Sequence, residues 1–69
     1  MKIDDAVKIL YDKGIKVTSY KKIDNGYFFI AQTKSNTLQC SFFIVTNEGL
    51  IESGTDYYIN NQGVETTKL

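Results

Sequence analysis

The stretch GYFFIAQTKSNTLQCSFFIV, residues 26–45, holds two phenylalanine doublets, Phe28-Phe29 and Phe42-Phe43, on either side of a polar hinge. Successive side chains of a strand point to opposite faces of its sheet, so each doublet places one ring on each side. Register decides which ring goes where, because a slip of one residue exchanges the faces. A hinge of two or four residues sets Phe28 opposite Phe43 and Phe29 opposite Phe42. One face then carries Tyr27, Phe29, Ala31, Cys40, Phe42 and Ile44, apolar throughout apart from the tyrosine hydroxyl. The other carries Phe28, Ile30, Gln32, Gln39, Ser41, Phe43 and Val45, apolar in the middle and polar at the end. Odd hinge lengths give less tidy faces, so the even register is the expectation.

The first face suits a helix, and the N-terminus supplies one over Asp4–Lys13. Ile3, Ala6, Val7, Leu10 and Tyr11 fall on one stripe at 3–4 spacing, with Lys2, Asp5, Lys8 and Asp12 off it. Asp4 is placed to cap the N-terminus, Asp5 complements the helix dipole, and Gly14 can end the helix in a left-handed conformation. A helix of this length is marginal alone in water, so docking of the stripe must hold it. Ile9 lies off the stripe and reads as exposed.

The remainder reads as strands between turn signals. IKVTSYKKI (15–23) stops at DNG (24–26); YFFIAQT (27–33) and LQCSFFIVT (38–46) follow the turn and the hinge; NEG (47–49) leads to LIESG (50–54). A three-residue Asp24–Gly26 loop with a glycine bulge keeps Val17 and Ile23 under the helix, with Tyr20 and Lys22 opposite. An Asn25-Gly26 type I′ turn would put Val17 and Ile23 on the second face, and the bulged loop is preferred. A Glu48-Gly49 turn brings Ile51, Thr55 and Tyr57 to the helix side. TDYYINNQG (55–63) fits a strand, or a short helix opened by Thr55 and stopped by Gly63; Tyr and Ile favour the strand. VETTKL (64–69) is a last strand or part of a frayed tail over residues 60–69. The chain is thus expected as one α+β domain, residues 1–69. One N-terminal helix packs on a three- to five-stranded antiparallel meander in the order α-β-β-β-β.

The 69 residues allow one small core, and 42% hydrophobic residues suffice to fold it. No apolar run approaches the roughly 20 residues that span a bilayer. Asp4 and Asp5 interrupt the segment where a signal peptide needs apolar residues, so a cytoplasmic location is expected. All eight basic residues are Lys, and Ile, Asn and Tyr are abundant, which suggests an AT-rich genome such as a low-GC bacterium or its phage. A phage-encoded chain would act in the host cytoplasm. Net charge is zero but unevenly spread, +3 over Met1–Ser35 (seven Lys, four acids) and −3 over Asn36–Leu69 (one Lys, four acids). Such a dipolar surface can orient a charged partner.

Catalytic chemistry finds little support. Cys40 is the single cysteine, with no His in the chain to activate it, and reads as a buried structural thiol. Asp4 and Asp5 diverge by about 100° on a helix and suit capping better than metal binding. Glu48, Glu52 and Asp56 read as a solvated acidic stripe, and neither DNG nor NEG has phosphate-loop spacing. No enzyme activity, cofactor, metal or small-molecule ligand is expected.

Phe28, Ile30, Phe43 and Val45 are expected to cluster on the side without the helix. Leaving four such side chains wet forgoes roughly 6–12 kcal/mol, so something covers them. The C-terminal segment from Tyr57, a second copy of the chain, or another protein could do so, with Tyr20, Tyr27 and Tyr58 at the rim. The function expected is a small non-catalytic protein-binding module using Phe28, Ile30, Phe43, Val45 and Tyr20. An inhibitor encoded by a phage or mobile element, acting by steric occupation, is one form of it. A homodimeric structural or accessory protein using the same face is the alternative. A further alternative is a weak nucleic-acid binder built on Lys16, Lys21, Lys22 and Lys34 with Tyr20 and Phe28, against which zero net charge and the lack of Arg count. In element order alone, Asp4–Ile51, with FFIVTNEGLI (42–51) as strand, glycine-containing turn and strand, resembles one unit of the PepSY-like domains, whose members include inhibitory propeptide segments.

Overall fold

A computed structural model describes residues 1–32 and 41–69. Helix α1 (Ile3–Asp12) precedes strands β1 (Val17–Ile23), β2 (Gly26–Ala31), β3 (Phe42–Thr46) and β4 (Ile51–Ser53), then helix α2 (Thr55–Asn60) and strand β5 (Thr67–Lys68). The strands form one antiparallel sheet in the order β4-β3-β2-β1-β5. The expected α+β class, with an N-terminal helix on an antiparallel meander, is therefore present. Helix α2 departs from the strand favoured for residues 55–63, and it makes the molecule three layers deep.

Helix α1 buries Ala6 and Leu10 against Tyr27, Phe29 and Val45, with Ile3 and Val7 packing beside them. Two details differ from the sequence pattern. Tyr11 is 65% exposed, while Ile9 joins the core instead of facing water. Asp4 makes no capping bond; Lys2 is the N-cap, and Asp4 and Asp5 lie in the first turn, where their charges complement the dipole. At the other end Gly14 has φ +80°. Its N–H donates to the Tyr11 carbonyl, and the Ile15 N–H donates to the Leu10 carbonyl. That bond pair is a Schellman stop, and the apolar residues that accompany it are Leu10 and Ile15.

The first hairpin is tighter than expected. Ile23 pairs with Gly26, leaving Asp24 and Asn25 as the loop, and neither has a positive φ. The register that follows puts Ile23 and Lys21 on the face away from α1. Tyr20 lies opposite Phe29 and Lys22 opposite Tyr27, both on the α1 side. Val17 still reaches the α1-side core, because the β1–β2 register shifts between Val17 and Ser19. Gly26 is required twice over. Its φ is +138°, and a Cβ there would strike the Val45 carbonyl and come within 2.9 Å of the Thr46 Cα.

Strands β2 and β3 pair in the odd register: Tyr27 with Val45, Phe28 with Ile44, Phe29 with Phe43 and Ile30 with Phe42. This corrects the expected faces by one residue on β3. Phe43 and Val45 lie beneath α1, with Val45 fully buried, and Phe42 and Ile44 lie on the second face. The physical reason is α2. A second face that has its own cover carries no penalty for being apolar, so tidiness of pattern does not select the register.

Gly54 lets α2 come that close. Its N–H donates to the Phe42 carbonyl at 2.8 Å. A Cβ at Gly54 would sit 2.9 Å from the Phe43 nitrogen and 3.0 Å from both the Phe42 carbonyl carbon and Phe28 Cε1. The helix then rests Tyr57 on Phe28, ring centroids 4.8 Å apart, and stacks Tyr58 on Phe42 at 4.1 Å and 10°. From α2 the chain reaches the far side of the sheet and pairs β5 with β1. Thr67 and Lys68 of the expected frayed tail are therefore an edge strand.

Candidate interaction surface

The residues expected to form one docking face are divided by the structure. Phe28 is fully buried between the sheet and Tyr57. Ile30 is half-buried on that same second face. Phe43 and Val45 belong to the α1-side core, and Tyr20 stands there too, its ring edge-on to Tyr27 at 6.2 Å and 63°. Tyr27 is itself buried and donates its hydroxyl to the Met1 carbonyl. Of the three covers weighed for the second face, the chain's own C-terminal segment is the one in place. Cys40 and Lys34 lie outside the described residues. Lys21 and Lys22 alternate to opposite faces of β1, so with Lys16 they make no single-faced stripe, and Phe28 offers no exposed ring for base stacking.

The structure does gather charge along its edges. Lys21 and Lys22 on β1 and Lys68 on β5, with Lys16 just before β1, occupy one end of the strand order. Glu52 on β4 and Glu48 in the preceding turn occupy the other. Lys68, the single lysine of the acidic half of the sequence, thus folds onto the basic edge. Among the described residues none of Lys16, Lys21, Lys22 and Lys68 is held in a salt bridge. The Lys22 Nζ instead lies 5.8 Å from the centroid of the Tyr27 ring, a favourable but weak cation–π arrangement at an exposed site.

Backbone groups are also open at this edge. Ile23 and Gly26 close the two-residue hairpin loop, so the backbone groups of Ile23 face β2. Alternation then turns the N–H and C=O of Lys22 and Tyr20 outward. On that outer side Thr18 accepts from the Leu69 N–H at 3.0 Å, and β5 pairs with Ser19 and Tyr20 only. Lys22 lies two residues beyond Tyr20, where β5 starts. Its outward N–H and C=O have no backbone partner among the described residues. Beside it is an open hollow of about 410 Å³ lined by Lys21, Lys22, Ile23, Asp24, Asn25 and Tyr57.

Lys21 and Lys22 are legible in the sequence; Ile23, Tyr57 and Lys68 are not legible there as their neighbours. The lysine content of the first hairpin was the available signal. The rest depended on α2 and on the crossing to β5. Set against protein-family models, curated proteins and solved structures, the chain matches none of them.

Proposed function

We propose that the chain is a small non-catalytic protein-binding module that acts by occupying a surface of its partner, with β1 as its contact edge. The observation that carries this reading is the coincidence at Lys22 of open backbone groups, unpaired lysine charge and an adjoining hollow with Tyr57 in its wall. Tyrosine supplies large, stiff contact area at interfaces, and a basic edge steers an acidic partner on approach. The apolar second face no longer contributes, since α2 covers the rings at its centre. Inhibition of a host protein is the form of this activity that small size and steric action suit. The test is capture of partners from a source lysate by the immobilised chain, compared with Lys21→Glu/Lys22→Glu and Glu48→Lys/Glu52→Lys variants. Loss in the first variant alone supports the β1 edge. Equal capture by all three defeats it.

The acidic β4 edge supports a second reading, self-association. A β4 edge meeting a β1 edge is a heterologous contact, which builds rings or open filaments and not a two-fold dimer. Light scattering at rising concentration tests it, and a constant monomer mass removes it.

A further inference from the structure

We propose that the β1 edge at Lys22 accepts an acidic, extended segment of another protein as an added strand; the proposal rests on the protein-binding reading and names its partner class. Strand addition needs open main-chain groups on an edge and places for alternate side chains. Both are present. The outward N–H and C=O of Lys22 continue the line of bonds that Thr18 makes to Leu69 and Tyr20 makes to Thr67, so an added segment would pair with β1 beyond the start of β5. Successive side chains of that segment would fall on opposite faces. On the α1 side they meet the Lys22 ammonium; on the other they meet Lys21 and the hollow, whose lining also includes Ile23, Asp24, Asn25 and Tyr57. The matching sequence is acidic and alternating, with an apolar residue for the hollow.

Lysines on an edge strand are also a common guard against unwanted pairing. Here the guard and the recognition are the same device. Two β1 edges brought together would oppose lysine to lysine, which is unfavourable across a strand pair. A neutral strand would leave the charges unanswered, and an acidic one answers them. Specificity for an acidic strand thus follows from rejection of the alternatives as well as from attraction. The short slot, a single residue wide in hydrogen-bonding terms, makes side-chain charge the main determinant.

The experiment is fluorescence anisotropy with a labelled peptide of alternating Glu and Val, its backbone N-methylated counterpart, and an alternating Lys and Val peptide. The first should bind, and more weakly as salt rises; the other two should not. Lys21→Glu/Lys22→Glu should weaken binding roughly 2- to 30-fold, the range for two exposed charge pairs. Lys22→Pro should abolish it, because proline removes the outward N–H while leaving the β1–β2 ladder bonds intact. A circular dichroism melt checks that this variant folds; if it does not, the N-methylated peptide decides. No binding by the wild-type chain, equal binding of the N-methylated or lysine peptide, or full binding by a folded Lys22→Pro chain each overturns strand addition. If peptide binding fails while lysate capture still depends on Lys21 and Lys22, strand addition alone is lost; if both fail, so is the protein-binding reading. Self-association abolished by Glu52→Lys would identify the occupant as the β4 edge of a second copy and overturn the separate acidic partner.

Discussion

Replacing Gly54 with alanine tests how α2 is seated, and the sign of the effect is the test. Gly54 has φ −92° and ψ 7°, on the negative-φ side that L-residues occupy, so no left-handed strain is at stake. Without contacts, Gly→Ala would stabilise the chain by about 0.4–1 kcal/mol through the unfolded state. The contacts reverse this. The new methyl would lie 2.9 Å from the Phe43 nitrogen and 3.0 Å from the Phe42 carbonyl carbon. Both atoms belong to β3, which is paired on both sides and cannot retreat. Its third neighbour, at 3.0 Å, is the fully buried ring of Phe28. The start of α2 must therefore move and strain the 2.8 Å bond from Gly54 to Phe42, worth about 1 kcal/mol. Overpacking of this kind costs about 1–3 kcal/mol. The net expectation for Gly54→Ala is a loss of about 1–3 kcal/mol. In a domain of this size each kcal/mol lowers Tm by about 4–8 °C. Thermal and urea melts followed by far-UV circular dichroism measure it. An unchanged or raised Tm would show that α2 does not sit against β3 at this distance, and the cover over Phe28 and Phe42 would go with it.

Other substitutions probe the rest of the architecture. Phe28→Ala should cost about 3–5 kcal/mol, since the ring is fully buried and contacts both Phe42 and Tyr57; a urea titration reads this as a lower midpoint. Phe43→Asp places a carboxylate in the α1-side core and should cost about 3 kcal/mol or more. Retention of a cooperative melt near the wild-type Tm would return Phe43 to the surface. Tyr11→Ala should change stability by no more than about 0.5 kcal/mol, because the side chain is 65% exposed, and the same melts will show whether α1 has the orientation described. Gly26→Ala combines a positive φ with collision against the Val45 carbonyl. It should leave little folded protein, seen as collapse of amide dispersion in a proton–nitrogen correlation spectrum.

Helix α1, its glycine stop and the meander of four strands were legible because each has a local signal. A 3–4 apolar stripe, Gly14, and turns at Asp24–Gly26 and Asn47–Gly49 all act within a few residues. What was not legible depended on contacts far apart in sequence. In the sequence the β2–β3 register is marked only by which face is cleaner, and that criterion assumes that one face is wet. Once α2 lies on the second face, Phe28 with Phe42 and Ile44 is as acceptable there as Phe28 with Phe43 and Val45 would have been. The same blindness displaced the candidate site. Phe43 and Val45 belong to a docking surface only in a register that the second cover makes unnecessary.

The doublet Tyr57-Tyr58 shows why local propensity also misled. Tyrosine and isoleucine favour strands because a flat side chain packs well on a pleated surface. In a strand, however, neighbouring side chains point to opposite faces, and only one of the two rings could rest on the sheet. In a helix neighbours diverge by about 100°, so both can tilt toward one surface. Tyr57 on Phe28 and Tyr58 on Phe42 use that geometry. A six-residue helix has little stability of its own, so these two ring contacts and the close approach at Gly54 are what select helix over strand. The crossing that α2 begins has a consequence at the far edge. From β4 to β5 the chain traverses four strand spacings, roughly 19 Å at about 4.8 Å each. It arrives beside β1 only at Thr67, opposite Tyr20. Pairing that starts there leaves Lys22 beyond its reach. One segment therefore closes the apolar face that the sequence suggested for docking, and in the same crossing leaves the basic edge open.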